Sequence, residues 1–179
     1  GSGITGPDKL LMILGTSACH MLLSPREVKI PGICGSCRDG ILPGYYGYEA
    51  GQACVGDMLD WFVRGHALTA DGGLSREEAA QIHTLLSRQA ACLEPGESGL
   101  VALDWWNGQR TPLVDDLLTG AMVGMTLRTT PAEQYRALLE SAAFGTRRIL
   151  EFFEVAGISA KEIVACGGIA GKNPLMMQI

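Results

Sequence analysis

Long hydrophobic runs are missing from this sequence: no segment reaches the ~18 uninterrupted apolar residues of a membrane span. Its start lacks the basic and apolar regions of a secretory signal, so the expected compartment is the cytoplasm. Basic charge is in the minority, with 14 Lys and Arg against 19 Asp and Glu. The resulting net charge of −5 gives no electrostatic reason to expect nucleic acid or an anionic membrane as a partner. Blocks of like charge and low-complexity tracts are absent as well. Of the six cysteines, only Cys34 and Cys37 are closely spaced, and no second Cys-x-x-Cys or histidine pair completes a four-ligand zinc site. Their glycine-rich surroundings are not the βαβ setting of a thioredoxin-like pair, so reduced, packed thiols and no metal site are expected.

What is present points to a packed α/β domain. Hydrophobic residues make up 47% of 179 positions, enough for the core of one domain. The 24 glycines are too many for a helical bundle and suit a fold with many turns.

The sequence is organised around Leu10–Leu23. Two apolar runs of strand length, Leu10–Leu14 and Ala18–Leu23, flank Gly15-Thr16-Ser17 and predict a hairpin of two buried strands. Gly15 has no Cβ to keep a ligand away and tolerates positive φ. Thr16 and Ser17 add hydroxyls beside backbone N–H groups, a combination suited to phosphate oxygens. By itself such a turn is more often an ordinary connection than a binding loop.

Val28–Ile41, interrupted by Pro31, Gly32, Gly35 and Gly40, reads as a broken or edge strand. Pro43–Gln52 leads into a helix expected over Ala50–Arg64, with Val55, Met58, Leu59 and Phe62 at helical spacing. Gly51 and Gly56 would thin one face of it, for close packing or for close approach of a ligand. His66 is expected in a loop, before a break at Asp71-Gly72-Gly73. Ser75 and Glu78 form a capping box for a helix to Leu93, which carries His83. Leu100–Trp105 is a short apolar strand, and the Trp105-Trp106 pair after it suits a core plug better than a sugar platform. Thr130 and Glu133 form a second capping box, launching a long helix to Ala156 closed by Gly157. Ile163–Cys166 is a buried strand, followed by Gly167-Gly168 and, from Asn173-Pro174, the start of another helix. That helix has barely two turns, and the opening Gly-Ser-Gly-Ile-Thr-Gly-Pro runs straight into a strand. Both ends are therefore read as cuts in a longer chain. In open α/β sheets, ligands sit beyond strand ends where glycine turns feed helix N-termini. The turns at Gly15–Ser17 and Gly167–Asn173, some hundred and fifty positions apart, are expected to meet as one lip of a nucleotide cleft.

Four stretches together resemble the C-terminal domain of the FGGY carbohydrate kinases. They are Gly15-Thr-Ser-Ala-Cys-His-Met21, Pro43-Gly-Tyr-Tyr-Gly-Tyr-Glu-Ala-Gly-Gln52, Asp104-Trp-Trp-Asn-Gly108 and Cys166-Gly-Gly-Ile-Ala-Gly-Lys-Asn-Pro174. Gly120–Glu140 is similar to the family's second signature, departing from it at Gln134. The resemblance implies an actin-like ATPase (ribonuclease H-like) domain, a mixed sheet flanked by helices, spanning residues 1–179 as part of a two-domain kinase. It implies ATP and Mg²⁺ as cofactors and a small ketopentose as substrate, phosphorylated on its terminal hydroxyl. A polyol or another ketose, or a non-catalytic nucleotide-binding module, is the alternative. Gly15, Thr16 and Ser17 would then lie at the nucleotide phosphates, Gly56 against the nucleotide with Asp60 one turn on, and Gly167, Gly168, Lys172 and Asn173 at the adenosine. Glu49 would bind the sugar, though as a plain feature it is a carboxylate near a helix start. The general-base aspartate would lie upstream of Gly1 and most sugar contacts in an N-terminal domain, so no catalytic residue is assigned within the chain. Homo-oligomerisation is left open.

Overall fold

A computed structural model describes residues 3–33, 35–66 and 73–179. Cys34 and the Asp71-Gly72 part of the expected break lie outside the described residues. Strands β1 (Lys9–Leu14) and β2 (Ala18–Ser24) form the expected antiparallel hairpin, Leu14 opposite Ala18. Alternation decides which side of each strand is covered. Leu10, Met12, Leu14, Ala18, His20 and Leu22 are buried, whereas Leu11, Ile13, Cys19 and Met21 are only half-buried.

The helix expected from Ala50 begins later. Tyr46–Gln52 is strand β4, antiparallel to β2 from Ser24↔Tyr46 to Ala18↔Gln52. Its buried side chains are Tyr48, Ala50 and Gln52, an alternation that Gly47 and Gly51 hide because they contribute no side chain on the other side. Helix α1 covers Gly56–His66, so His66 ends a helix rather than sitting in a loop. The broken segment contributes β3 (Ser36–Arg38) at the sheet edge, paired with β4. β7 (Glu162–Cys166) joins the other side parallel to β1, giving the five-stranded mixed order β3-β4-β2-β1-β7.

Both capping boxes form, at Ser75/Glu78 for α2 (Arg76–Ala90) and Thr130/Glu133 for α3 (Pro131–Val155). Gly157, at φ 76°, closes α3: its N–H donates to Glu154 O and the Ile158 N–H to Phe153 O, the paired bonds of a Schellman end. α3 covers the buried sheet face, where Tyr48 meets Phe153 edge-on and Gln52 donates to Ala142 O. α1 and α2 pack on α3 in turn, Phe62 against Tyr135. Arg136 and Glu140 are buried together at 2.6 Å, with the Gly96 N–H also donating to Glu140.

The strand expected at Leu100–Trp105 is β5 (Val101–Leu103), but it lies outside the main sheet. It pairs with β6 (Ala121–Val123), a strand that three residues of sequence do not announce. The long connection between them folds back over β4. Trp106 packs on the core, its ring 4.7 Å from that of Trp61. After β7, the chain turns through α4 (Gly168–Lys172) and α5 (Pro174–Gln178). Among the described residues no helix is long and apolar enough to cross a membrane. The five described cysteines are free. Only Cys54 is buried, while Cys37 and Cys92 are exposed, so the expectation of packed thiols fails for those two.

Candidate nucleotide corner and sugar cleft

Parallel pairing of β1 with β7, Ile13 opposite Cys166, brings the ends of these strands side by side. The turn after β1 is Gly15–Ser17 and the turn after β7 is Gly167–Gly168. These segments, far apart in sequence, therefore emerge from the same edge of the sheet. α1 seals the corner: a Cβ on Gly56 would lie 2.5 Å from Gly15 O and 3.2 Å from Ile169 Cδ1.

Four glycines of this corner fall into two kinds. Gly56 and Gly167 are demanded by the fold, because a Cβ on either would press into backbone, that of Gly15 and of Leu14 respectively. Gly167 also sits at φ 98°, a region open mainly to glycine. Gly15 and Gly168 are not so constrained. Neither has positive φ, and a Cβ would meet only Ser17 O at 3.8 Å at Gly15 and nothing within 4 Å at Gly168. The tolerance of positive φ that glycine brings is therefore not used at Gly15. Both residues are exposed and leave open space at the surface of the corner.

The turn's own hydrogen bonds correct one expectation. Thr16 O accepts the Val55 and Asp57 N–H groups at 2.8 and 3.2 Å, and Gly15 O accepts that of Gly56 at 3.1 Å. The first N–H groups of α1 are thus used within the chain, so its N-terminus is not an open anion seat. The Thr16 and Ser17 hydroxyls, by contrast, take part in no hydrogen bond among the described residues and remain available to a ligand.

Asn173 is buried and caps α5, accepting from the Met176 N–H at 3.1 Å and donating to Ser87 Oγ at 3.3 Å. Lys172 is exposed beside it. Asp60 is half-exposed and is already engaged by its own neighbours, Arg64 at 2.7 Å and His83 at 3.8 Å. Burial lowers the His83 pKa although Asp60 pulls the other way.

Glu49 lies on β4 opposite Met21, on the side of the sheet that α3 does not cover. It is three residues from Gln52, which pairs beside the Gly15–Ser17 turn, so the two features lie roughly 10 Å apart along the strands. Glu49 borders a cleft of about 620 Å³ lined by Met21, Gly47, Gly51, Arg110 and Thr111. Arg110 donates to its Oε1 at 3.1 Å. The nearby Cys19 thiol has a raised pKa, first through burial and then through the Glu49 charge.

Behind β4 a directed chain of hydrogen bonds crosses the core. Gln52 donates to Asp104 Oδ2 at 2.6 Å and to Ala142 O at 2.8 Å, and its own oxygen accepts from the Thr146 hydroxyl at 3.0 Å. With that proton committed, Thr146 Oγ1 must accept from His20 Nε2 at 3.1 Å, which fixes the neutral tautomer. Burial depresses the His20 pKa to about 4 and raises that of Asp104. Sequence reading missed His20, Gln52, Arg110 and Thr111. His20 could have been found from the alternation of β2, whereas Gln52 lies on the strand whose alternation the glycines hide, and Arg110 and Thr111 carry no local signal.

The model of the FGGY family of carbohydrate kinases, C-terminal domain, matches residues 10–179. The chain is 52% identical over 177 residues to a ribulokinase of Halalkalibacterium halodurans, covering 99% of this chain and 31% of that protein. It is 54% identical over 177 residues to a ribulokinase of Bacillus licheniformis, covering 99% and 32%. It thus spans about a third of the length of the curated relatives it matches. Among solved structures, a xylulose kinase from Rhodospirillum rubrum superposes with TM-score 0.83 at 26% identity, covering 98% of this chain and 33% of that one. A glycerol kinase from Plasmodium falciparum with ADP, at 20% identity, shares the fold with TM-score 0.76, covering 99% and 34%. These neighbours identify the mixed sheet and its helices as the actin-like ATPase fold. The chain belongs to the FGGY family of carbohydrate kinases.

Proposed function

We propose that residues 1–179 are part of the C-terminal domain of a ribulokinase, which transfers the γ-phosphate of ATP to the terminal hydroxyl of L-ribulose. The observation that carries this reading is the meeting of the Gly15–Ser17 turn with Gly56 and Gly167-Gly168, roughly 10 Å along the strands from Glu49. In this reading Gly15, Thr16, Ser17 and Gly56 border the phosphates, and Gly167, Gly168, Lys172 and Asn173 border the adenosine. Glu49 accepts hydrogen bonds from sugar hydroxyls.

Phosphoryl transfer asks a protein mainly for positioning and charge stabilisation. Thr16 and Ser17 would orient phosphate oxygens, and the open space at Gly15 and Gly168 would let backbone approach the nucleotide. Among the described residues no three His, Cys, Asp or Glu side chains cluster. The Thr16 and Ser17 hydroxyls are the hard oxygen donors that Mg²⁺ would meet here. When bound, Mg²⁺ neutralises charge on the phosphates. The proton of the sugar hydroxyl would pass to an aspartate outside these residues, so the 179-residue chain alone is expected not to consume ATP in response to ribulose.

The test is a comparison of L-ribulose, D-ribulose, xyluloses and glycerol as acceptors for the full-length protein carrying this chain. Highest kcat/KM on L-ribulose supports the reading, and preference for glycerol or xylulose replaces it with another kinase of the family. In the same protein Glu49→Gln is expected to raise the KM for ribulose about tenfold, the cost of weakening a hydrogen bond to a charged group. The KM for ATP should stay unchanged.

A further inference from the structure

We propose that Arg110 is a positioning residue that fixes Glu49 so that one carboxylate oxygen is left for the sugar. This rests on the reading of Glu49 as a sugar contact. Arg110 comes from the connection between β5 and β6, some sixty positions after Glu49, and reaches the cleft because that connection is fastened to β4. The Gly51 N–H donates to Thr111 Oγ1 at 3.1 Å in a buried bond. Gln109 stiffens the same stretch, donating to Thr111 O and accepting from the Leu113 N–H at 2.8 Å. The guanidinium then rests on the surface of β4 where Gly51 has no side chain: a Cβ there would lie 2.9 Å from both Arg110 Cζ and Nη1.

The consequence falls on Glu49. Its Oε1 accepts from Arg110 Nη2 at 3.1 Å and lies 3.5 Å from the Cys19 thiol. Its Oε2 takes part in no hydrogen bond among the described residues. A glutamate on an open strand face would otherwise sample several rotamers, and a ligand would have to select one. Arg110 removes that freedom and assigns the two oxygens different tasks. Arginine suits the role because its planar guanidinium rests on the strand at Gly51 while one N–H donor reaches Glu49 Oε1, a placement that a compact ammonium does not reproduce.

The pair is half-exposed, at 46% and 47%, so breaking it has little effect on folding. In the full-length kinase, Arg110→Ala is expected to raise the KM for L-ribulose about tenfold, with kcat and the KM for ATP within about twofold. Arg110→Lys should fall between. In a Glu49→Gln background, Arg110→Ala should add less than about twofold, because its effect passes through the carboxylate. The same factor in both backgrounds would mean that Arg110 binds the sugar directly, and would overturn the proposal. So would an unchanged ribulose KM in both Arg110 variants while Glu49→Gln raises it. An unchanged KM in Glu49→Gln itself would instead remove the assignment of Glu49, and this proposal with it.

Discussion

Gly167→Ala is expected to destabilise the domain by roughly 4 kcal/mol and to abolish use of ATP, whereas Gly168→Ala leaves stability within about 0.5 kcal/mol. The two positions are adjacent and both resemble the same family motif, yet their surroundings differ. At Gly167 the φ of 98° strains any L side chain, and an added Cβ would press on the Leu14 carbonyl and amide. That backbone belongs to the central pair of strands and cannot give way without loosening the β1–β7 pairing. At Gly168 the same methyl enters open space and starts α4, so the fold tolerates it. If the nucleotide lies against this corner, Gly168→Ala should nevertheless raise the KM for ATP, because the methyl occupies the space proposed for the ligand. Thermal unfolding of both full-length variants, set beside their ATP kinetics, separates the effects. Equal melting temperatures for the two would contradict the packing at Gly167, and wild-type ATP kinetics in Gly168→Ala would contradict the placement of the nucleotide.

Acid lability is the second large effect. His20 is fully buried and held neutral, with its pKa lowered from 6.5 to about 4 by burial. In the unfolded chain it takes up a proton below about pH 6.5. Between these values the unfolded state therefore binds more protons than the folded state, and stability falls as pH falls. The loss reaches roughly 3 kcal/mol by pH 4, a sizeable part of a domain's stability. Asp104 works in the opposite sense. Its raised pKa means that the folded state holds a proton the unfolded one has lost, which offsets part of the loss at the acid end. The ring signals of His20 in an NMR titration should not move between pH 8 and about pH 5, while the urea midpoint declines over the lower part of that range. A His20→Gln variant, which keeps a donor for Thr146, should show a flatter decline. A midpoint independent of pH down to about 5 would contradict the burial and tautomer described for His20.

Much of the architecture was legible because the signals are local. Both capping boxes rest on a hydroxyl and a carboxylate three residues apart, and both formed. The hairpin around Gly15–Ser17 follows from two apolar runs that can be buried only as strands flanking a short turn. The Ala50–Gln52 end of β4 reads as a helix start because Gly47 and Gly51 erase alternation: a strand with two missing side chains shows no period of two. The missing side chain at Gly51 is what seats Arg110, so one feature both hid the strand and made room for a distant partner. β6, three residues long and defined by its pairing with β5, gave no pattern at all.

The sequence by itself determined the helix caps, the central hairpin, the apolar stripe of α3 and the glycine motifs that mark the family, because each depends on residues within a few positions of one another. Only the tertiary structure decided which glycines the fold requires, since that depends on which backbone lies opposite. It also decided that α1 gives its first N–H groups to the Gly15–Thr16 turn, that Arg110 reaches Glu49 across sixty residues, and that His20 is sealed against Thr146. Such contacts arise from parallel pairing and loop return between remote segments, and their energetics follow from burial that no local pattern encodes.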